Sequence, residues 1–297
     1  VRYLITGGSG LIGTHLCRQL LAAGNHVTVI SRYPERLCSR NDFAVQAVAS
    51  LSELPLDYFP EVVINLAGAP IAATPWTAAR RRMLWHSRVD ETQRLVEWIK
   101  SLTHLPDVML SASAVGYYGD NDEHVLDENT QPAPGFSHDL CHAWEQQALL
   151  VESSGVRVCI MRFGVVLSRD GGFLSRMKLP FLCGLGGRMG GGQQWFSWVH
   201  IDDLLSAMQF LIHHQTLSGV FNVTSPKPVR NSELTSLLAR QYGRPAVFAV
   251  PAFALRCLGE MSCLFLDSQR VVPARLQAAG FDFHYEDLQK ALADVLA

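Results

Sequence analysis

The chain carries no excess of either charge. Its 25 lysines and arginines against 27 aspartates and glutamates leave a formal charge of -2, with no block of one sign, so no nucleic-acid or anionic-membrane partner is expected. It also lacks an unbroken apolar run of spanning length, since residues 246–266 are interrupted by Pro251, Arg256 and Glu260. The seven cysteines (17, 38, 141, 159, 183, 257 and 263) form no C-x-x-C pair. They read as reduced core thiols, with no metal ligands and no disulfides, which places the protein in a reducing compartment, the cytoplasm. The first predicted strand opens at residue 2, so no signal peptide is expected. What remains is a globular chain of 297 residues, 48% hydrophobic, long enough for one two-part unit or two domains.

The most informative stretch is Thr6-Gly7-Gly8-Ser9-Gly10-Leu11-Ile12-Gly13, directly after the apolar run Tyr3-Leu4-Ile5 and before the helical pattern of Leu16, Leu20 and Leu21. It reads as strand, tight turn, helix. Glycine is needed where φ is positive, where backbone approaches a pyrophosphate, and where helix packs on strand, while the helix N-terminus turns free N–H groups toward phosphate. The spacing is G-x-x-G-x-x-G, not the G-x-G-x-x-G of the commonest dehydrogenases, and it gains weight from the flanking strand and helix.

A second buried strand, His26 to Ile30, ends in Ser31-Arg32, with Arg36 and Arg40 following. NAD sites place an acidic residue here to bind the ribose 2'-hydroxyl. Its absence, with a hydroxyl and a guanidinium in its place, points to NADP(H), the alternative being a solvated basic loop. Residues 33–60 are expected to be irregular, with a helical turn near 50–54. A third strand, residues 61–65, runs into the small-residue turn Leu66-Ala67-Gly68, where a nucleotide can lie against backbone. Residues 76–102 show one long helical pattern, and Arg88 at its inner end reaches phosphate or substrate, or is a surface arginine.

The strand 107–114 carries Ser111, Ala112 and Ser113 and runs into Val115-Gly116-Tyr117-Tyr118-Gly119. Hydroxyls at an inner strand end can bond a substrate oxygen, and they also make turns. Residues 121–134 read as an acidic surface loop, residues 137–153 as a helix, and residues 156–167 as one strand containing Arg162, a charge that needs a carboxylate or phosphate partner. From Ser168 glycine-rich segments and the aromatics Trp195, Phe196 and Trp198 lead to a helix at 204–213, then a strand at 219–224 that returns to the main sheet. Helices are expected at 231–242, 251–258, 267–279 and 285–297. The division is therefore a cofactor domain over 1–167, with 200–224 returning to it, and a smaller lobe from 168–199 and 225–297. The fold class is α/β, a doubly wound parallel sheet with a smaller, mainly helical C-terminal lobe.

Taken with the glycine turn, Asn65-Leu66-Ala67-Gly68, Ser111-Ala112-Ser113-Ala114, Trp144-Glu145 and Trp198-Val199-His200-Ile201-Asp202-Asp203, the chain resembles the extended short-chain dehydrogenase/reductase superfamily. It is most similar to its atypical "epimerase family protein" subgroup, whose C-terminal region has no assigned role. The resemblance implies a Rossmann-type fold and a cofactor site formed by Gly7, Gly8, Ser9, Gly10, Leu11, Ile12, Gly13, Ser31, Arg32, Leu66, Ala67, Gly68, Arg88, Ser111, Ala112 and Arg162. It also implies that Ser113 polarises the substrate oxygen.

The Tyr-x-x-x-Lys pair of such enzymes is missing: anchored on Glu145, Ser137 takes the tyrosine position and Cys141 the lysine position. Tyr117 and Tyr118 are then the nearest acid/base candidates beside Ser113, with His138 and His200 further ones. The function implied is NADP(H)-dependent hydride transfer to or from a small hydroxyl or carbonyl compound, a nucleotide sugar being one option. The alternative is a non-catalytic NADPH-binding sensor or regulatory protein. Relatives often pair through the helices over 76–102 and 137–153, so the chain is expected to be a monomer or a homodimer.

Overall fold

The computed structural model of the chain describes residues 1–38 and 45–296. Its first half alternates strand and helix: Arg2–Thr6 (β1), Leu11–Ala22 (α1), His26–Ile30 (β2), Pro34–Cys38 (α2), Gln46–Val48 (β3), Val62–Asn65 (β4), Ala78–Trp85 (α3), Glu91–Ser101 (α4), Val108–Ala114 (β5), Val125–Leu126 (β6) and Phe136–Leu149 (α5). A single π-helical turn, His86–Asp90, joins α3 to α4, so the expected long helix is continuous but locally unwound around Arg88. The second half contains Arg157–Phe163 (β7), Val165–Leu167 (β8), Gly172–Leu182 (α6), Gly187–Met189 (β9), Trp195–Phe196 (β10), Trp198–His200 (β11), Ile201–His213 (α7), Gly219–Val223 (β12), Val229–Arg230 (β13) and Asn231–Gln241 (α8). It ends with Phe248–Val250 (β14), Ala252–Arg256 (α9), Cys263–Leu266 (α10), Arg270–Val271 (β15), Ala274–Ala278 (α11) and Leu288–Leu296 (α12).

Seven strands form one parallel sheet in the order β12-β7-β5-β4-β1-β2-β3. The order reverses between β1 and β4, so a crevice opens at their carboxyl ends, where ligands bind in doubly wound sheets. Alternate residues of each strand serve opposite faces. Ile5, Val29 and Ile64 pack with Leu16 and Leu20 of α1 and Leu204 and Met208 of α7, while Leu4, Val63 and Met109 pack with Leu95, Ile99 and Ala148 of α4 and α5.

Three sequence expectations need correction. Residues 33–60 are not irregular throughout, because Gln46–Val48 adds a strand beside β2; three residues are too short to show a period. The predicted strand 156–167 is two, broken at Gly164, whose N–H bonds the Val223 carbonyl at 3.1 Å and where a Cβ would lie 3.0 Å from the Ser197 oxygen. Beyond that break β8 leaves the sheet and pairs in parallel with β11. The predicted helix 267–279 is the strand β15, paired with β6, followed by the one-turn α11.

A separate apolar core holds the rest together: Leu174 and Phe181 of α6, Trp198, Leu234 and Leu238 of α8, and Leu288 and Leu292 of α12. Asp203, at the start of α7, accepts the His284 and Tyr285 N–H groups at 2.9 and 2.8 Å. His200 is 1% exposed, receives the Asp202 N–H on Nδ1 at 3.1 Å, and stacks on Tyr285 with centroids 3.7 Å apart. Burial lowers its pKa. His200 therefore caps α7 and seats the C-terminal segment, which takes it out of the acid/base candidates. Among the described residues no helix is long and apolar enough to cross a membrane.

Candidate active site

The glycine turn follows the requirements of its backbone. Gly7 has φ +72°, and a Cβ there would lie 2.5 Å from the Leu66 oxygen; at Gly13 it would lie 2.5 Å from the Gly7 oxygen and 2.6 Å from the Gly8 Cα. Turn, helix and the β4 loop are thus in backbone contact. The Gly10 N–H closes the turn onto the Gly7 carbonyl at 3.0 Å. No side chain caps α1 and no acidic residue stands in its first turn, so its N-terminal N–H groups and dipole are directed at the crevice between β1 and β4. These residues fit a dinucleotide pyrophosphate. Ser9 and Gly10 are exposed there, with Leu11 and Ile12 half-buried behind them.

A buried hydroxyl network holds the neighbouring loop. Asn65 accepts from Thr6 Oγ1 at 2.7 Å and donates to Thr92 Oγ1 at 2.7 Å and Ser111 Oγ at 3.2 Å. The Ala67 N–H reaches Thr6 Oγ1 at 3.3 Å, and Trp144 Nε1 donates to Thr92 at 2.9 Å. Ser111 is 0% exposed, so its hydroxyl serves this network, and Ala112 beside it is also buried. Asn65 and Thr92 were missed as site-shaping residues. The signal was a polar residue inside each of two apolar patterns.

Gly68 is exposed and faces Arg88, whose Cζ would lie 3.0 Å from a Cβ there. Arg88 donates to the Ala69 carbonyl at 3.0 Å and lies 5.3 Å from the Trp144 ring centroid. It therefore lies against the loop that follows β4, and burial lowers its pKa. At the end of β2, Ser31 is buried and accepts the Tyr33 N–H at 3.3 Å, whereas Arg32 is exposed. Arg40 lies outside the described residues, as does the Arg36 side chain.

At the end of β5, Ser113 donates to Glu145 Oε1 at 2.6 Å. Arg162, across the sheet on β7, donates to both Glu145 oxygens at 2.8 Å, and the side chains of this pair are each 4% exposed. Arg162 also donates to Tyr118 Oη at 3.0 Å, and Tyr118 Oη donates to Asn222 Oδ1 at 2.8 Å. Asn222 in turn donates to the Val272 carbonyl at 3.0 Å. The partner that Arg162 requires is thus a carboxylate, one of the two that its sequence left open. Burial opposes its charge, Glu145 more than compensates, and the Arg162 pKa is raised. Tyr118 is 0% exposed and burial pushes its phenol up to about 12. It is withdrawn as an acid/base candidate because its hydroxyl is enclosed and doubly engaged.

Tyr117 is half-buried, with its ring centroid 3.3 Å from the Arg162 Cζ and its carbonyl 2.9 Å from His138 Nδ1. Ser113, itself buried against Glu145, and the half-buried Tyr117 and His138 are the sequence candidates that remain at this strand end. The positions of the missing pair offer no substitute. Ser137 Oγ lies 3.4 Å from Cys263 Sγ, and Cys141 is buried with its thiol pushed up to about 11, chiefly by burial and then by Glu145.

Cys263 brings the C-terminal region to the site, which composition gave no means to foresee. Asp267 follows it, half-buried, and burial together with Asp120 lifts its carboxyl to about 6. Gln269 Nε2 bonds the Gly119 carbonyl at 3.3 Å, and Ser197 Oγ bonds the Gln269 carbonyl at 2.6 Å. Trp195 bonds Glu123 at 3.1 Å and stacks under Arg230, while Trp198 is core.

The comparisons with known proteins agree with this geometry. An epimerase family protein of Staphylococcus aureus (strain MRSA252) is 40% identical over 100% of this chain and 99% of its own length. A human epimerase family protein (isoform 2), solved with NADPH, superposes with a TM-score of 0.88 at 29% identity, covering 100% of this chain and 99% of its own. A protein solved as the nucleoside-diphosphate sugar epimerase of Corynebacterium glutamicum gives 0.79 at 30% identity, covering 100% of this chain and 58% of that one. Residues 250–295 match a domain of unknown function. Residues 3–224 match the NAD dependent epimerase/dehydratase family, and the chain belongs to that family, an extended short-chain dehydrogenase type that uses a nicotinamide cofactor.

Proposed function

We propose that the chain is an NADP(H)-dependent oxidoreductase or epimerase-like enzyme that transfers hydride to or from a hydroxyl or carbonyl carbon of a small molecule. The observation that carries this reading is the uncapped α1 N-terminus at the crevice, with exposed Arg32 and no carboxylate at the neighbouring strand end. In that reading the α1 N–H groups hold the pyrophosphate, Arg32 and Ser31 meet the 2'-phosphate, and Leu66, Ala67, Gly68 and Arg88 line the crevice. A bound nicotinamide would supply the hydride chemistry. Ser113 orients the substrate oxygen and Tyr117, four residues on at the end of the same strand, is assigned the proton transfer, with Glu145 and Arg162 acting as positioning residues. The nucleoside-diphosphate sugar epimerase relative supports a nucleotide sugar as substrate.

The domain division follows the same logic. Residues 1–167 with 200–224 carry the cofactor crevice, and 168–199 with 225–297 cover it. The free cysteines among the described residues support a reducing, cytoplasmic setting. The chain is a monomer or a homodimer, and a homodimer would pair through the exposed face of α4, with Gln93, Arg94, Glu97 and Lys100.

A second reading, a non-catalytic NADPH sensor, is favoured by one observation: Ser137 and Cys141 occupy the acid/base positions, and Ser137 is engaged by Cys263. Hydride exchange separates the two. NADPH deuterated stereospecifically at C4 is bound to the protein and offered sugar nucleotides, ketones and aldehydes in turn. The enzyme reading predicts substrate-dependent loss of label. Tight binding with label retained across the panel favours the sensor.

A further inference from the structure

The outer face of the smaller lobe combines two features that neither the fold nor the cofactor site requires. β14 is exposed at Phe248, Ala249 and Val250 alike and, among the described residues, pairs only with β9. An apolar strand is therefore left open on the surface of the lobe. Apolar side chains continue around it: Val247 is 77% exposed, Phe253 72%, Leu179 69% and Leu185 64%. These residues belong to one local unit, because the Leu185 N–H bonds the Pro180 carbonyl at 2.9 Å, Gly186 packs against the Phe181 ring, and the Gly190 N–H bonds the Val250 carbonyl at 2.8 Å.

The two segments that build this surface carry charge of one sign, and the acidic residues Glu233 and Glu260 stand just outside the second of them. The segments 171–201 and 234–259, which supply it, contain no aspartate or glutamate. They contain Lys178, Arg188, Arg244 and Arg256, all exposed. Glu260, the next acidic residue along the chain, is engaged by Arg81 at 2.6 Å. The overall charge of -2 conceals this local excess, which is why composition argued against any membrane partner.

From these observations we infer that the β14 face docks onto an anionic lipid bilayer. Projecting phenylalanine, leucine and valine side chains enter the acyl boundary, while the surrounding cations meet the headgroup phosphates. An exposed apolar strand beside cations suits an anionic lipid surface. The two segments supply cations and no carboxylate of their own, so their charge attracts an anionic headgroup layer.

Co-sedimentation of the full chain with vesicles tests this. Vesicles of phosphatidylcholine alone are compared with vesicles containing about 30 mol% phosphatidylglycerol, at low salt and at roughly 0.5 M salt. The expected result is at least about tenfold tighter binding to the anionic vesicles, reversed by salt. Phe248→Ser with Phe253→Ser, and separately Arg188→Glu with Arg244→Glu, should abolish the gain while the melting temperature and NADPH affinity stay at wild-type values. If either pair loses its fold, Lys178→Glu with Arg256→Glu makes the same test at two other exposed positions. Equal binding to neutral vesicles, binding to neither, or undiminished binding by the variants overturns the proposal. So does a dimer, seen by light scattering, that dissociates on Phe248→Ser with Phe253→Ser, which would assign the face to a second copy of the chain.

Discussion

Replacing Arg162 by leucine tests the centre of the structure. The guanidinium and Glu145 are each 4% exposed, and Arg162 supplies two of the bonds to that carboxylate at 2.8 Å. Arg162→Leu leaves a buried negative charge with Ser113 as its side-chain donor, and it also strips Tyr118 Oη of its donor. Breaking such a pair from one side costs about 3–5 kcal/mol. Glu145→Gln added to Arg162→Leu removes the orphaned charge and keeps an oxygen for Ser113, so it should recover at least about 2 kcal/mol. Urea denaturation of the two single variants and the double variant measures the coupling, and NADPH titration of the folded proteins measures cofactor affinity. We expect the double variant to be more stable than Arg162→Leu alone and to bind NADPH within about threefold of wild type, roughly 0.7 kcal/mol. A double variant no more stable than the single would refute the pairing argument. A folded double variant with NADPH affinity reduced more than about tenfold would show that Arg162 holds the cofactor directly.

Other perturbations follow from the same geometry. Gly13→Ala drives a methyl to 2.5 Å from the Gly7 oxygen; it should cost about 1–3 kcal/mol of stability and weaken NADPH binding together, as read by melting and calorimetry. Ser113→Ala leaves the Glu145–Arg162 pair intact, so label exchange from deuterated NADPH should slow with cofactor affinity unchanged. An unaffected rate removes Ser113 from the mechanism. Asp267, raised from 3.8 to about 6 in the folded state, binds its proton more tightly folded than unfolded. Its stabilising contribution is complete below pH 3.8 and is lost as pH rises through 6. Asp267→Asn should therefore stabilise the protein by about 1–2 kcal/mol above that range, after allowance for partial exposure, and leave it unchanged at low pH.

Much of the cofactor half could be read from residues alone because its signals are local. The glycine spacing, the apolar strands and the charge of Arg162 inside one of them each state a physical need within a few residues. The partner that meets the need of Arg162 was not legible, since Glu145 lies on a helix whose period makes it one more polar position. Tyr117 and Tyr118 were indistinguishable in sequence, and only packing shows that one is half-buried and the other enclosed between Arg162 and Asn222. The break at Gly164 and the strand β15 depend on pairing with segments far along the chain, Trp198–His200 and Val125–Leu126. Short strands with remote partners leave no periodic trace. The same holds for Cys263 and Asp267, brought to the site by a region whose own sequence reads only as short amphipathic turns.

The preference of the crevice for a 2'-phosphate is the claim on which the proposed function rests, and isothermal calorimetry of NADPH and NADH with the wild-type protein and Arg32→Glu tests it most directly. The account predicts that wild type binds NADPH at least about tenfold more tightly than NADH, and that Arg32→Glu removes this advantage, about 1.4 kcal/mol or more, while leaving NADH nearly unchanged. Equal affinities in the wild type, or equal weakening of both cofactors by Arg32→Glu, would contradict it.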